Sequence, residues 1–263
     1  MLERLRELGF DIATRNHADA ILSFDFAEDL DSLVARLAAF RIHISELIGG
    51  GGGESGQTQR LRRALDAGGW RKHHFSVETI VDGQTRAGVS HEVDHVRFAD
   101  NGTLALEIEW NNKDPFFDRD LENFQRLHGL SAISVGIIVT RGASMQDAFL
   151  PRITGWMKAQ GLDSEEHLER LGITERTRAQ RDAVARQVER GVPFAEAFAK
   201  TFVASKFGQA STHWSKLDER VARGVGNPCP LLLVGLPADV LVDAAASVIR
   251  DTATAPDLFS RNG

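Results

Sequence analysis

The sequence predicts an α/β protein with a central mixed β-sheet flanked by helices. Two short apolar runs, at residues 133–140 and 231–236, are continuous in the way that is typical of strands buried on both faces. Further strand-like runs precede them, and stretches with helical spacing lie between the runs. The chain of 263 residues is long enough to bury one substantial core, so we predict a single domain over residues 1–263.

The N-terminal part is predicted to be helical and to end in a glycine-rich loop. Leu30, Leu33 and Leu37 share one apolar stripe, and we expect helices throughout the first forty residues. The glycines at 49–53 predict a loop, because glycine leaves the backbone free. Residues 57–67 predict a basic helix that ends at two glycines.

Strands and helices then follow one another to the C-terminus. Strands are predicted where β-branched or alternating apolar residues dominate, and helices where apolar residues recur with helical spacing. The predicted order is strands at 74–81, 93–98 and 103–110, a helix at 119–128, a strand at 133–140, a helix at 144–160, a charged helical insertion at about 164–206, a strand at 231–236, a helix at 238–250 and a frayed tail at 251–263.

Composition restricts the classes of protein that are possible. The single cysteine, Cys229, excludes an intramolecular disulfide and a multi-cysteine zinc site, so we expect a reducing, cytoplasmic location. No apolar stretch is long enough to span a bilayer, and the N-terminus does not have the pattern of a signal peptide. The net charge of −6 argues against non-specific coating of nucleic acid but allows a sequence reader with clustered cations.

Two glutamates on one predicted strand are the first candidates for chemistry. The strand period of two puts Leu104, Leu106 and Ile108 on one face and Glu107 and Glu109 on the other. Neighbouring carboxylates repel each other unless a cation or a proton compensates. The alternative is a pair of solvated glutamates on an open sheet face.

An aspartate on the preceding strand favours a metal site. A turn at residues 100–102 would fold the two strands into a hairpin, so Asp94 can approach Glu107. Mg²⁺ prefers oxygen ligands, takes one or two carboxylates and completes its shell with water and phosphate oxygens. The neighbouring His91 and His95 leave zinc as an alternative, which the excess of carboxylates disfavours.

These residues resemble the active site of BglII- and BamHI-type restriction endonucleases, a branch of the PD-(D/E)xK nucleases. The similar motif is Val93-Asp94 followed by Glu107-Ile108-Glu109. Segments 16–22, 137–142 and 233–236 also resemble BglII, in the same order, whereas 164–206 has no counterpart. The resemblance implies a restriction-endonuclease-like fold and a Mg²⁺-dependent type II endonuclease that cuts double-stranded DNA at a short palindromic sequence.

The resemblance also implies roles for the site residues. Asp94, Glu107 and the backbone carbonyl of Ile108 would hold Mg²⁺, for which Mn²⁺ can substitute. Glu109 stands where the wider group has lysine, so it would orient or deprotonate the attacking water or help to hold a second ion. His73 would contact that water, unless it is an ordinary surface histidine in a basic patch.

Base and phosphate contacts are implied in the same way. Asn112 would reach a base edge, unless the turn around it caps the next helix. Arg141 would read guanine or hold phosphate. His213 lies in a polar loop that a core tryptophan with surface polar residues explains more readily than a DNA contact does. The glycine loop is either mobile or ordered by DNA, and a solvated helix face is the alternative to the basic contacts. The further DNA-binding candidates are Asn111, Lys113, Asp114, Ser144 and Gln146 near the strand ends, and Arg60, Arg62, Arg63, Arg71 and Lys72 as phosphate contacts.

The expected partners follow from symmetric cleavage of a duplex. A two-fold homodimer on DNA matches a palindromic target, and a cognate DNA methyltransferase is expected as the genetic partner. Three other functions stay open at this point. They are a structure-directed repair or recombination nuclease, a catalytically silent DNA-binding relative, and a metal hydrolase that acts on small phosphates.

Overall fold

The computed structural model describes residues 1–49, 56–174 and 176–243. Most of the predicted glycine loop and the predicted frayed tail lie outside these residues. The helices are α1 (Leu2–Glu7), α2 (Ala18–Phe24), α3 (Ala27–Ala39), α4 (Ile44–Ile48), α5 (Gly56–Ala67), α6 (Phe116–Gly129), α7 (Ala143–Ala159), α8 (Glu165–Arg170), α9 (Arg178–Glu189), α10 (Phe194–Lys206) and α11 (Trp214–Ala222). The strands are β1 (Asp11–Arg15), β2 (Ile42–His43), β3 (Arg71–Val81), β4 (Gln84–Ala99), β5 (Gly102–Ile108), β6 (Val135–Arg141), β7 (Leu231–Leu236) and β8 (Leu241–Val242).

The described residues group into two compact units. The first contains residues 1–40, 61–147 and 207–239, and the second contains the described parts of 41–60, 148–206 and 240–263. The first unit holds a six-stranded sheet in the order β1-β7-β6-β5-β4-β3. The pairs β5–β6 and β6–β7 are parallel and the other pairs are antiparallel, which confirms the predicted mixed sheet. The prediction of one domain over the whole chain stays a prediction.

One part of the core of the first unit lies between the sheet and two helices. Every residue of β6 and β7 is buried, as their continuous apolar sequences predict. α6 turns one apolar stripe towards the sheet because its large side chains recur every three or four residues. The stripe consists of Phe117, Leu121, Phe124 and Leu127, which pack with Leu217 and Val221 of α11 and with Ile138 and Leu233 of the sheet.

Two successive hairpins form the β3–β4–β5 half of the sheet. Asp100 and Asn101 connect β4 to β5, which confirms the predicted turn. Asp82 and Gly83 connect β3 to β4 with positive φ angles of 50° and 75°, as a two-residue hairpin turn requires. This longer hairpin was not predicted, although an Asp-Gly pair between strand-like residues is its usual signal.

The pairing of β3 with β4 shifts by one residue near Arg71 and His73, at the end of the hairpin that is far from its turn. Between the pairs Arg71–Val96 and His73–Val93, β4 has one residue more than β3, which is a β-bulge next to Asp94. A bulge bends a strand locally and changes the direction of the side chains beside it. The pairing of β3 with β4 therefore helps to set the direction of Asp94.

The second unit contains the predicted helical segment 164–206 as three helices, α8 to α10. The side chain of Thr177 accepts a hydrogen bond from the backbone of Gln180, which caps α9. α9 and α10 are linked by the bond from Gln187 Nε2 to Thr201 Oγ1, at 3.1 Å. β2 and β8 form a separate two-stranded parallel sheet in this unit.

Two predictions for the ends of the chain were wrong. Residues 11–15 form β1 rather than helix, because they pair antiparallel with β7, a partner more than two hundred residues away. The predicted helix at 238–250 begins as a 3₁₀ turn, Ala238–Val240, and continues as β8, while residues 244–250 lie outside the described residues. Among the described helices, none has both the length and the apolar character to cross a membrane.

Candidate active site

The β4–β5 hairpin brings Asp94 and Glu107 together as the sequence predicts. His95 pairs with Leu106, so Asp94 and Glu107 are the next residues on the two strands. The backbone N–H of Asp94 donates to Oε1 of Glu107 over 3.4 Å. The side chain of Asp94 is more than half exposed, whereas Glu107 is buried. The pair therefore combines one accessible carboxylate with one that is screened from water.

Glu107 and Glu109 are not solvated glutamates on an open sheet face. They are only 6% and 3% exposed, respectively. Burial and the negative charges of Asp120, Asp94 and Glu109 raise the pKa of Glu107 well above its ordinary value. Burial and the charge of Asp120 raise the pKa of Glu109 to about 8. Without a cation, the site favours protonated carboxyl groups.

An acidic residue that the sequence motif does not include, Asp120, completes this cluster. Asp120 lies on α6 between Phe117 and Phe124, and only 1% of it is exposed. Arg119 bonds to it through Nε, at 2.8 Å, and also contacts Oε1 of Glu109 through Nη2, at 3.3 Å. Asp120 could have been found in the sequence, because it is a charged residue at a core position of the predicted helix. Aspartate is rarely buried without a partner.

A cavity of about 410 Å³ opens beside the acidic pair. Lys72 lies near it, with Nζ 2.6 Å from Oε1 of Glu92 and 3.8 Å from Oδ1 of Asp94. Carboxylates outnumber cations around this space, so it carries an excess of negative charge when they are ionised. The cavity is lined by Ser90, His91, Glu92, Asp94, Glu107, Arg119 and Asn123.

The chemistry of this cluster suits a hard divalent cation. Its charged donors are oxygens, and Asp120 Oδ2 is buried without a hydrogen-bond partner. Within the described part of the chain, no three His, Cys, Asp or Glu side chains form a ready-made metal cage. Two carboxylates with a shell completed by water and phosphate oxygens is the arrangement that Mg²⁺ commonly takes, so the residues fit that ion.

His73 lies opposite Val93 on the neighbouring strand. Its ring packs edge-to-face against Phe75 and Phe98, with centroids 4.6 Å and 5.0 Å away. These contacts place His73 in a small aromatic cluster on β3 and β4. Its contact with an attacking water stays a prediction.

Asn112 is attached to the acidic cluster. Its Nδ2 donates to Oε2 of Glu109 over 2.6 Å, and its backbone exchanges hydrogen bonds with Thr212. It does not cap the next helix, because α6 has Pro115 at its N-cap position without a side-chain bond. Asn112 is itself exposed, so it lies between the buried carboxyl group and solvent.

Arg141 is buried rather than presented to solvent. Its guanidinium donates to the carbonyl of Thr212 and to Oγ of Ser211, at 2.9 Å and 2.8 Å, and lies over the ring of Phe207. Burial lowers its pKa to about 9. These donors hold the 211–212 turn, and the role of Arg141 in reading guanine or holding phosphate stays a prediction. Gln146 is engaged in a similar way, with Nε2 donating to the carbonyl of Phe207.

Replacing Arg141 with alanine is expected to destabilise the protein by about 2–4 kcal/mol, because buried carbonyl and hydroxyl groups lose their donor and a cavity is left. Urea unfolding measures this loss. Arg126→Ala is the matched control, since the ion pair of Arg126 with Glu122 is half exposed and should change the free energy of unfolding by less than about 0.5 kcal/mol. Loss of DNA binding by Arg141→Ala with unchanged stability would contradict the structural role and favour the predicted contact with DNA.

The remaining predicted DNA contacts differ in how exposed their side chains are. His213 is buried, and Nδ1 bonds Oγ of Ser215, while Asp114 pairs with Arg220 at 3.2 Å. In the second unit, Arg60 pairs with Glu46 through two contacts of 2.6 Å. The candidates with exposed or half-buried side chains are Asn111, Lys113, Ser144, Arg62, Arg63, Arg71 and Lys72.

Comparison with known proteins identifies the family. A family model described as restriction endonuclease BglII/BglIII matches residues 10–236, which include every strand of the six-stranded sheet. No curated protein gave a match. Because the family match covers most of the chain, and because the mixed α/β fold with its acidic hairpin agrees with it, this protein belongs to the BglII/BglIII family of restriction endonucleases and is a type II site-specific deoxyribonuclease.

Proposed function

We propose that this restriction endonuclease cuts double-stranded DNA at a short palindromic sequence in a Mg²⁺-dependent reaction. The observation that carries the proposal is the pairing of exposed Asp94 with buried Glu107 beside a cavity of about 410 Å³. A second acidic pair, Glu109 and Asp120, lies close enough for its charge to act on Glu107. An excess of carboxylates next to an open cavity favours binding of a divalent cation together with a phosphate group.

Asp94, Glu107 and the backbone carbonyl of Ile108 would hold the ion, and Mn²⁺ would substitute for Mg²⁺. When bound, the ion neutralises charge on the scissile phosphate and makes water easier to deprotonate. Glu109 accepts a proton from the attacking water, whose oxygen forms the new bond to phosphorus as the bond to the leaving oxygen breaks. Burial keeps Glu109 a stronger base than an ordinary glutamate.

We propose that the segment between β5 and α6, beside the acidic cluster, recognises the DNA sequence. Asn112 would reach a base edge, and Asn111, Lys113 and Asp114 lie beside it on the segment between β5 and α6. The phosphate contacts would come from the remaining exposed candidates and from Arg60, if it exchanges its Glu46 partner for phosphate. His213, Gln146 and Arg141 would contribute to DNA binding by holding in place the loops that carry the exposed contacts.

We propose two partners for this protein, one for symmetric cleavage of the duplex and one for protection of the host DNA. One active site cuts one strand, so we propose a homodimer on DNA whose two-fold axis coincides with that of the target. We also propose a cognate methyltransferase that protects host DNA. Sedimentation of the enzyme with a duplex in Ca²⁺ tests the first proposal.

Digestion of unmethylated phage DNA in Mg²⁺, Ca²⁺ or EDTA tests the proposed function. We expect fixed fragments in Mg²⁺ and Mn²⁺, with uncut DNA in Ca²⁺ and EDTA, and sequencing of the fragment ends then gives the target. A smear would favour a structure-directed nuclease. Tight binding without cleavage in any divalent ion would favour a silent DNA-binding relative.

A further inference from the structure

We propose that Asp120 is a further positioning residue of the active site, which holds Arg119 and, through it, Glu109 in place for hydrolysis. The inference rests on the proposed function, because it assigns Asp120 to the same reaction. Neither the sequence motif nor the hairpin contains Asp120, which is brought to the cluster by α6.

The contacts form a chain from the helix to the carboxyl group. Both Nε and Nη2 of Arg119 lie 2.8 Å from Oδ1 of Asp120. Nη2 also lies 3.3 Å from Oε1 of Glu109, whose other oxygen accepts the bond from Asn112. Glu109 is therefore held at both oxygens, by Asn112 on one side and by Arg119 on the other. Asp120 is the buried residue that fixes Arg119.

The difference in burial between Arg119 and Asp120 indicates that Asp120 fixes the position of Arg119. The side chain of Arg119 is 53% exposed, while that of Asp120 is 1% exposed. A half-exposed arginine has many rotamers available to it, and a two-point contact with a fixed carboxylate selects one of them. Without Asp120, Arg119 would spend much of its time in solvent, away from Glu109.

Asp120 is poorly explained by packing alone. It occupies the apolar stripe of α6, and its Oδ2 is buried without a hydrogen-bond partner. A buried carboxylate of this kind costs stability, and an uncharged side chain of the same size would fit the core at least as well. A residue that costs stability beside a reaction centre is typical of a residue kept for activity.

The test compares Asp120→Asn with Glu122→Gln, an exposed carboxylate on the same helix. Three quantities are measured: the thermal midpoint, the affinity for a cognate duplex in Ca²⁺, and the single-turnover cleavage rate in Mg²⁺. For Asp120→Asn we expect an unchanged or raised midpoint, an affinity within about 3-fold of wild type and a rate lower by about 10- to 100-fold, the size of loss that a misplaced catalytic group produces. Glu122→Gln should leave all three unchanged.

Arg119→Gln provides an independent route, since its half-exposed site tolerates substitution even if Asp120→Asn does not fold. We expect a loss of rate similar to that of Asp120→Asn. The loss in the double variant should be smaller than the product of the two single losses, because both residues belong to one network that ends on Glu109. Multiplied losses in the double variant would overturn the proposal. It would also be overturned by an Asp120→Asn rate within about 3-fold of wild type, or by a fall of midpoint, affinity and rate together. If wild-type enzyme does not cut, the proposed function fails and this inference fails with it, whereas wild-type cutting with unaffected Asp120→Asn rejects this inference alone.

Discussion

Replacing Glu107 with alanine is expected to lower the single-turnover rate of Mg²⁺-dependent DNA cleavage by at least about 1,000-fold. Glu107 is the buried partner of Asp94, and the proposed cation needs both carboxylates. The remaining exposed Asp94 would bind the ion weakly, so raising the Mg²⁺ concentration should restore little of the rate. A cognate duplex containing one site, followed by gel electrophoresis, gives the rate directly.

The control for this prediction is Glu78→Ala. Glu78 is an exposed glutamate on β3 and pairs with Gly88 of β4. Its replacement should leave the cleavage rate and the fragment pattern unchanged. DNA binding by Glu107→Ala should also persist, because binding depends mainly on phosphate and base contacts elsewhere. A Glu107→Ala enzyme that cuts at more than about one tenth of the wild-type rate would contradict the assignment of Glu107.

The metal-free protein is expected to lose stability as the pH rises from about 4.5 to about 8. Burial and the charge of Asp120 raise the pKa of Glu109 from 4.5 to about 8 in the folded state. A raised pKa means that the folded protein holds the proton more tightly than the unfolded chain. The stabilisation is therefore complete below the ordinary pKa and is lost as the pH rises through the folded pKa. The difference corresponds to at most roughly 5 kcal/mol, and Glu107 changes stability in the same direction.

Thermal unfolding in EDTA across this pH range measures the effect, and Glu109→Gln is the diagnostic variant. Glutamine cannot ionise, so the stability of this variant should depend less steeply on pH than that of wild type. Ca²⁺ or Mg²⁺ should restore wild-type stability most at high pH, because the cation replaces the lost protons. Glu122→Gln should keep the wild-type pH dependence. A Glu109→Gln protein that keeps it too would show that Glu109 is not responsible.

Local patterns in the sequence predict several parts of the molecule correctly. The buried strands β6 and β7 follow from continuous apolar runs, and the β4–β5 hairpin follows from alternation around a turn. Because a strand has a period of two and a hairpin has a fixed register, the sequence alone is enough to pair Asp94 with Glu107. The acidic motif is visible for the same reason, since all its residues lie on or directly after adjacent strands.

Contacts between distant parts of the chain decided the rest. β1 is a strand only because β7 lies beside it, and no local pattern specifies that pairing. Arg141 and Arg119 are both arginines close to apolar or aromatic residues in the sequence, yet one is buried against the 211–212 turn and the other is half exposed beside Asp120. A sequence does not state which polar groups will meet a side chain after folding, and that encounter determines whether a charge is solvated or buried. The sequence by itself therefore determined the buried strands β6 and β7, the family and the acidic hairpin. Only the tertiary structure decided that α6 contributes Asp120 and Arg119 to the site and that Arg141 supports the fold.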